Sequence, residues 1–353
     1  MQMRNFEYKI ICEKLLTPDI VSLLTGIHEH KGRQDVFFSV KKDILHQLKE
    51  IAKIQSTDSS NRIEGIYTSE KRLKLLVLDK VMPQNRNEQE IAGYKDVLTS
   101  INESHDYILQ KPNVFLQLHR DLYKYSGNSI GGNYKTTNNT IEEVDTQGNR
   151  YLRFEPVSAW ETHDAIEKIC SALEEVKGKN VEPLLIIPVF ILDFLCIHPF
   201  SDGNGRMSRL ITLLLLYRFG YIVGKYISIE RLIEKSKETY YEVLLQSSQN
   251  WHDNKNDYSA FVKYYLGLVL AAYREFTVRA EDMMTSGLLK TDRVKELIKS
   301  TLEKITKRDI LEKLPDISKI TVERALKELV DNNQIIKISG GRYTQYIWNW
   351  ENE

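Results

Sequence analysis

At 353 residues the chain is long for one compact domain, so two or three units are expected. Its 49 lysines and arginines equal its 49 aspartates and glutamates, which argues against nucleic acid or a membrane surface as an obligatory partner of the whole chain, although a local basic face remains open. Cys12, Cys170 and Cys196 are odd in number, far apart and without a paired zinc-ligand spacing; they read as reduced thiols of a cytosolic protein. No signal-peptide core opens the chain, and its most apolar run, residues 184–197, is too short to cross a bilayer and contains Pro188 and Asp193, so it reads as a buried helix.

Residues 1–40 show few periodic apolar positions and suggest no function. From residue 41 the pattern is helical, with Ile44, Leu48, Ile51 and Ile54 on a single stripe. Near its end Ser60 and Glu64 share a helix face, and Gly65 stands where a helix-ending residue is expected; alone this is a solvated surface pair. Residues 68–78 and 88–101 predict further helices, separated by the Pro83-Gln84-Asn85 break. Residues 113–125 predict another, with Phe115, Leu118 and Leu122 apolar and His119 packed among them as a structural histidine. The glycine-rich stretch 126–154 breaks the theme: β-prone pieces at 136–144 and 150–154 predict a hairpin turning near Asp145–Asn149.

After an amphipathic helix at 160–176, two apolar helices, 183–196 and 207–219, flank the segment Ile-His-Pro-Phe-Ser-Asp-Gly-Asn-Gly-Arg-Met-Ser-Arg-Leu at 197–210. Gly203 and Gly205 let the backbone approach a ligand and point successive N–H groups into one concavity. The helix that follows adds its unpaired N–H groups and dipole. Arg206 and Arg209, three residues apart, fall on one face, where both can grip one polyanion. Asp202 supplies a hard oxygen suited to Mg²⁺ bridging phosphates, and His198 is the natural proton acceptor. Together these residues make a phosphate site with a metal ligand and a base.

Residues 228–249 predict one helix with a serine cap, carrying Tyr240 and Tyr241, an aromatic pair that alone reads as core. Trp251 and a helix at 258–277 close this region by packing. A lapse at 281–292, with Ser286-Gly287, marks a boundary. Helices are then expected at 294–302, 306–314 and 319–332, and two strands, 334–339 and 342–348, turn at Gly340-Gly341. Three helices and a two-stranded wing look like a winged helix-turn-helix. Its third helix mixes Lys319, Arg324 and Lys327 with Glu323 and Glu328, so dimerisation or target recognition ranks ahead of DNA binding.

The segment His198 to Arg209 resembles the signature of the Fic family, HPFx(D/E)GNGRxxR, at every fixed position. The resemblance implies a mainly α fold: a Fic-type helical core with a β-hairpin flap, followed here by the small α+β winged helix-turn-helix. The expected domains are an N-terminal helical region at 1–100, the catalytic core at 101–280 and the winged unit at 290–350. It also implies transfer of AMP from ATP to a Tyr, Ser or Thr hydroxyl of a protein, including the chain itself. His198 would take the proton, Gly203, Asn204, Gly205, Arg206 and Arg209 would hold the nucleotide phosphates, and Asp202 would hold Mg²⁺. Tyr240 and Tyr241 match a tyrosine pair that the family uses at the adenine end.

Ser60-x-x-x-Glu64-Gly65 is similar to the family's inhibitory motif, (S/T)xxxE(G/N), placed N-terminal to the core as in class II members. Its glutamate is expected to pair with the second signature arginine, Arg209, and so withhold donors from the ATP γ-phosphate. Gly132-Asn133-Tyr134-Lys135 resembles the start of the flap with lysine where arginine is common, and Phe154-Glu155-Pro156 lacks the proline run many members carry. Two other readings stay open: a nucleotide-sensing core serving a winged-helix DNA-binding regulator, and transfer of a different group, such as UMP or phosphocholine. Removal of AMP by hydrolysis is a further activity the resemblance suggests.

Overall fold

A computed structural model describes residues 4–40, 42–127, 130–144, 150–285, 290–301, 304–315, 317–338 and 344–350. The expected turns at Asp145–Asn149 and Gly340-Gly341 and the boundary at Ser286-Gly287 lie outside these residues. The chain divides into two compact units, Met1–Thr277 and Val278–Glu353.

The first unit begins with α1 (Tyr8–Lys14), α2 (Pro18–Val40), α3 (Lys42–Ile63), α4 (Glu70–Val77), α5 (Arg86–Ser104) and α6 (Pro112–Leu122). A two-stranded antiparallel hairpin follows, β1 (Ile141–Val144) and β2 (Arg150–Phe154), with Glu142 opposite Leu152. Then come α7 (Thr162–Val176), α8 (Pro183–Ile197), α9 (Asn204–Arg218), α10 (Ile229–Lys235), α11 (Lys237–Ser248) and α12 (Ser259–Thr285), whose residues from Val278 on belong to the second unit. The second unit contains α13 (Lys290–Ser300), β3 (Ile305–Thr306), α14 (Lys307–Lys313), α15 (Lys319–Asp331), β4 (Ile335–Ile338) and β5 (Gln345–Trp348).

The pair α8 and α9 is the centre of the first unit. Every residue of α8 except Pro183 and Leu195 is buried, and so are Asn204 and all of residues 206–217 in α9. Helices apolar all round must be covered on every side; α7 and α5 are among those that cover them. The N-terminal 40 residues, which the sequence left unread, join this cover. Ile20, Leu24 and Ile27 lie at i, i+4 and i+7 on α2 and are buried, a stripe blurred in the sequence by the apolar Val21 and Leu23 beside it.

Asp193 on α8 ties the beginning of the chain to this centre. Its buried carboxylate accepts from Trp251 Nε1 at 2.7 Å and from Tyr258 Oη at 2.7 Å, with Arg4 Nε 4.0 Å away. Arg4 in turn donates to Tyr258 Oη at 2.6 Å and lies 4.7 Å over the Trp251 ring.

Local chemistry explains several boundaries. Side chains of Ser69, Asn85, Ser228 and Ser318 accept from the first turns of α4, α5, α10 and α15. α14 starts with a capping box of Thr306 and Asp309. The single helix expected at 228–249 is two helices, because Ser236, at φ −117° and ψ 33°, leaves the helical region between α10 and α11. The second unit closes on its own core around Val294, Ile298, Ile310, Val322 and Trp348. Its sheet has three strands in the order β3-β5-β4, one more than expected, because the two residues of β3 are too short to show a pattern.

α5 and α6 meet backbone to backbone at Gly93, where a Cβ would lie 1.9 Å from the Leu122 carbonyl oxygen. Gly93→Ala must push the helices apart, and urea denaturation is expected to show a loss of at least about 2 kcal/mol.

Candidate functional site

His198 caps α8 in the left-handed conformation, at φ 52° and ψ 62°. A non-glycine residue held there carries strain of about 1–3 kcal/mol and persists only where its surroundings over-determine it. Its Nδ1 lies 3.2 Å from the Leu195 carbonyl, so Nδ1 carries the ring proton and Nε2 keeps the lone pair. Burial lowers its pKa to about 4, with Lys135 lowering it further and Glu64 and Asp202 opposing.

Beyond His198 the loop is knit by its own side chains. Asn204 brackets Phe200, accepting from its N–H at 2.9 Å and donating to its carbonyl at 2.7 Å. Gly203 is left-handed at φ 82°, and a Cβ there would stand 2.9 Å from Tyr123 Oη. Asp202 Oδ1 accepts from the Gly203 N–H at 2.7 Å, while Oδ2 lies 3.8 Å from Arg86 Nη2 and remains half exposed. Among the described residues, no group of three or more His, Cys, Asp or Glu side chains gathers to hold a metal ion.

His119 is structural, and also a bridge. It stacks on Phe200 at 3.8 Å, its Nδ1 accepts from the Gly132 N–H at 3.0 Å, and Nε2 therefore donates to the Asp202 carbonyl at 3.0 Å. Burial lowers this imidazole to about 4 as well.

Ser60 and Glu64 come to the site from α3 and the residue after its end. Arg209, buried on α9, donates from Nε to Ser60 Oγ at 2.8 Å and from Nη2 to the Ser60 carbonyl at 2.8 Å and Glu64 Oε1 at 2.7 Å. Gly65, at φ 76°, ends the turn that places Glu64. A Cβ at Gly205 would lie 2.2 Å from Glu64 Oε1, so the carboxylate rests directly on the first turn of α9. The pairing of Glu64 with Arg209 is thus present in the structure.

The two signature arginines do not converge on one point. Arg206 is 1% exposed; its Nη2 pairs with Glu90 of α5 at 2.8 Å and donates to the Oη of Tyr123, the residue after α6, at 2.8 Å. Its Nε and Nη1 are buried without a hydrogen bond. Glu90 also accepts from Arg86 at 2.8 Å. The sequence reading missed Glu90 and Tyr123. The available signal was the stripe Glu90, Tyr94, Val97 and Ile101 on α5, in which a carboxylate occupies a core position.

Tyr240 is buried among Tyr241, Tyr264 and Phe261, with ring centroids 5.4, 6.0 and 6.4 Å away, so the core reading of the pair holds for Tyr240. Both rings also border the site: burial raises each phenol, and the charges of Arg209 and Glu64 act on both. Arg153 from β2 lies 5.0 Å over the Tyr241 ring. A separate cleft of about 790 Å³, between residues 4–10 and α7, contains none of these groups.

Residues 109–216, which include the whole 198–209 loop, match the Fic/DOC family. The chain contains a Fic domain. The protein adenylyltransferase fic-1 of Caenorhabditis elegans is 25% identical over 141 residues, which is 38% of this chain and 25% of that protein. The chain thus matches only about a quarter of that relative's length. A Fic family protein from Desulfovibrio desulfuricans G20 has the same fold at a TM-score of 0.61 and 22% identity, covering 95% of this chain and 97% of the other. A Fic domain containing signaling protein from Bacteroides thetaiotaomicron aligns at a TM-score of 0.60 and 20% identity, over 74% and 97%. At these identities the structural likeness is one of fold.

The two arginine–carboxylate pairs differ in exposure, and this gives a test. Glu90→Ala leaves the buried Arg206 without its counter-charge and is expected to cost about 3–5 kcal/mol in urea denaturation. Glu64 is a third exposed, so Glu64→Ala should cost no more than about 1 kcal/mol. The histidines give a second. Their native pKa values are depressed to about 4, so the unfolded chain binds more protons over the range up to the ordinary histidine value of about 6.5. Stability is therefore full above that range and is lost as pH falls through it toward the native values. The urea midpoint should drop between about pH 7 and about pH 5, and His119→Gln should flatten the dependence.

Proposed function

We propose that the chain is a protein adenylyltransferase: it transfers AMP from ATP to a Tyr, Ser or Thr hydroxyl of a protein, its own chain included, and Glu64 restrains it. The observation that carries this reading is the imidazole of His198, neutral and protonated on Nδ1, which leaves a lone pair on Nε2 beside the glycine-rich loop. The adenylyltransferase name of the Caenorhabditis elegans relative supports the same reaction.

In this mechanism the α- and β-phosphates rest against the N–H groups of Asn204 and Gly205, and against that of Gly203 once the Asp202 carboxylate releases it, at the positive end of α9. Nε2 of His198 takes the proton of the target hydroxyl as its oxygen attacks the α-phosphorus. The new P–O bond forms as the bond to the bridging oxygen breaks, and pyrophosphate leaves. A positioned base contributes roughly 10²- to 10⁴-fold. Asp202, with its half-exposed carboxylate, would be the residue to hold Mg²⁺ together with the nucleotide. The ion would offset charge on the leaving pyrophosphate. Tyr240 and Tyr241 would border the adenine end.

Glu64 and Ser60 occupy three donor contacts of Arg209. A γ-phosphate competing for that guanidinium must displace Glu64, so ATP binds weakly or out of line. Because Glu64 borders the same site, hydrolytic removal of AMP is a second activity within this proposal. The flap is β1 and β2, lining up an extended target by strand addition.

The order of three helices and a three-stranded sheet in the second unit supports a winged helix-turn-helix. The exposed face of α15 carries Lys319, Glu323, Arg324, Lys327 and Glu328, and Lys307 pairs with Glu323, so its role is target recognition or homodimerisation before DNA. No described helix is long and apolar enough to cross a membrane. The proposed working place is the cytoplasm.

The test is transfer of label from α-labelled ATP with Mg²⁺ to protein. Label is expected to be weak with the native chain, at least tenfold stronger with Glu64→Gly, and absent with His198→Ala, which should still bind ATP. No label from any of the three, with cell lysate as target, would overturn the reading. Label from UTP or CTP instead would move it to another nucleotide.

A further inference from the structure

Four consecutive carbonyls of the loop, those of residues 197–200, accept hydrogen bonds from two residues outside it, Lys135 and Asn139, among the described residues. The Lys135 N–H donates to Pro199 at 2.9 Å, and Lys135 Nζ donates to Ile197 at 3.1 Å. Asn139 Nδ2 reaches the Phe200 carbonyl at 3.3 Å and that of His198 at 3.5 Å. Lys135 Nζ also donates to Asn139 Oδ1 at 2.7 Å, which fixes the amide so that its nitrogen faces the loop. The two residues thus form one bracket, anchored two positions before β1.

Two further facts make this more than a loop contact. Lys135 is 3% exposed, a costly place for an ammonium, and the partners seen for it are carbonyl and amide oxygens. The residue in the middle of the bracketed run, His198, is the one held at positive φ. Carbonyls fixed on both sides of a strained residue supply the over-determination it needs.

We propose that Lys135 and Asn139 are positioning residues for His198, holding the backbone of residues 197–200 so that the imidazole keeps Nδ1 on Leu195 and presents Nε2. The inference rests on His198 being the base of the proposed transfer. Neither residue touches substrate; each acts through the backbone that carries the imidazole. The charged groups facing the ring are Lys135, Glu64 and Asp202. A change of charge at Lys135 is therefore separated from a change of geometry by Lys135→Arg, which keeps the cation and can donate to the same oxygens.

The test uses the full chain in the Glu64→Gly background. Lys135→Met and Asn139→Ala are expected to lower kcat at least tenfold, while the Kd for ATP with Mg²⁺, measured by calorimetry, stays within twofold. Lys135→Arg is expected to recover most of the loss. A readout independent of activity is the ¹⁵N spectrum of the His198 ring: one Nδ1–H tautomer in the parent, and a mixture in Lys135→Met and Asn139→Ala. Unchanged kcat in folded variants, an ATP affinity that falls in step with kcat, or an unaltered ring spectrum would overturn the inference. Where Lys135→Met does not fold, Asn139→Ala at its half-buried position decides. If the Glu64→Gly parent itself transfers no label, the proposed function fails on its own, and the ring spectrum alone decides the bracket.

Discussion

The near-complete burial of α8 and α9 is the constraint from which the rest follows. Two adjacent helices without a wet face need neighbours on all sides, and any charge they carry must be matched inside the protein. They carry three such groups: Asp193, Arg206 and Arg209. Each is answered from the N-terminal part of the chain, by Arg4, by Glu90 and by Ser60 with Glu64. The N-terminal helices are therefore electrostatic partners of the core as well as its cover, and this explains why residues up to Thr277 form one compact unit.

Exposure separates these pairs into two kinds. Arg206 and Glu90 are both sealed, so either partner alone would be an uncompensated buried charge, and the pair behaves as part of the fold. Glu64 reaches Arg209 from the solvent side and is a third exposed. Water can take over its solvation when it leaves, and Ser60 still holds the guanidinium from behind. Of the two, only the Glu64 contact has the physical character of a switch. On the proposed reading, the same guanidinium is both the phosphate grip and the point of restraint.

The two histidines show how similarly depressed imidazoles can differ in their hydrogen bonding. Both are held neutral by desolvation, with pKa values near about 4. His119 uses both ring nitrogens, one on the Gly132 N–H and one on the Asp202 carbonyl, and so joins the loop to the segment before the hairpin. His198 uses only Nδ1 on the protein backbone, through Leu195, leaving a lone pair on Nε2. Partner count distinguishes them: the protein saturates the ring of His119, whereas on the proposed reading the remaining lone pair of His198 takes the proton.

Sequence alone determined the helical class, the hairpin, the flanking of the loop by two apolar helices, and the loop's chemical character. These rest on local periodicity and on residue types whose conformational or chemical demands act over a few positions. The approach of Glu64 to Arg209 was also legible, though only through the resemblance of two motifs 145 residues apart. The tertiary structure decided what periodicity cannot encode. It turned Arg206 toward Glu90, set the tautomer of His198, and brought Lys135 and Asn139 under the loop carbonyls. Those outcomes depend on which buried donor meets which acceptor across long separations. Such pairings become unavoidable only once the surrounding helices have excluded water.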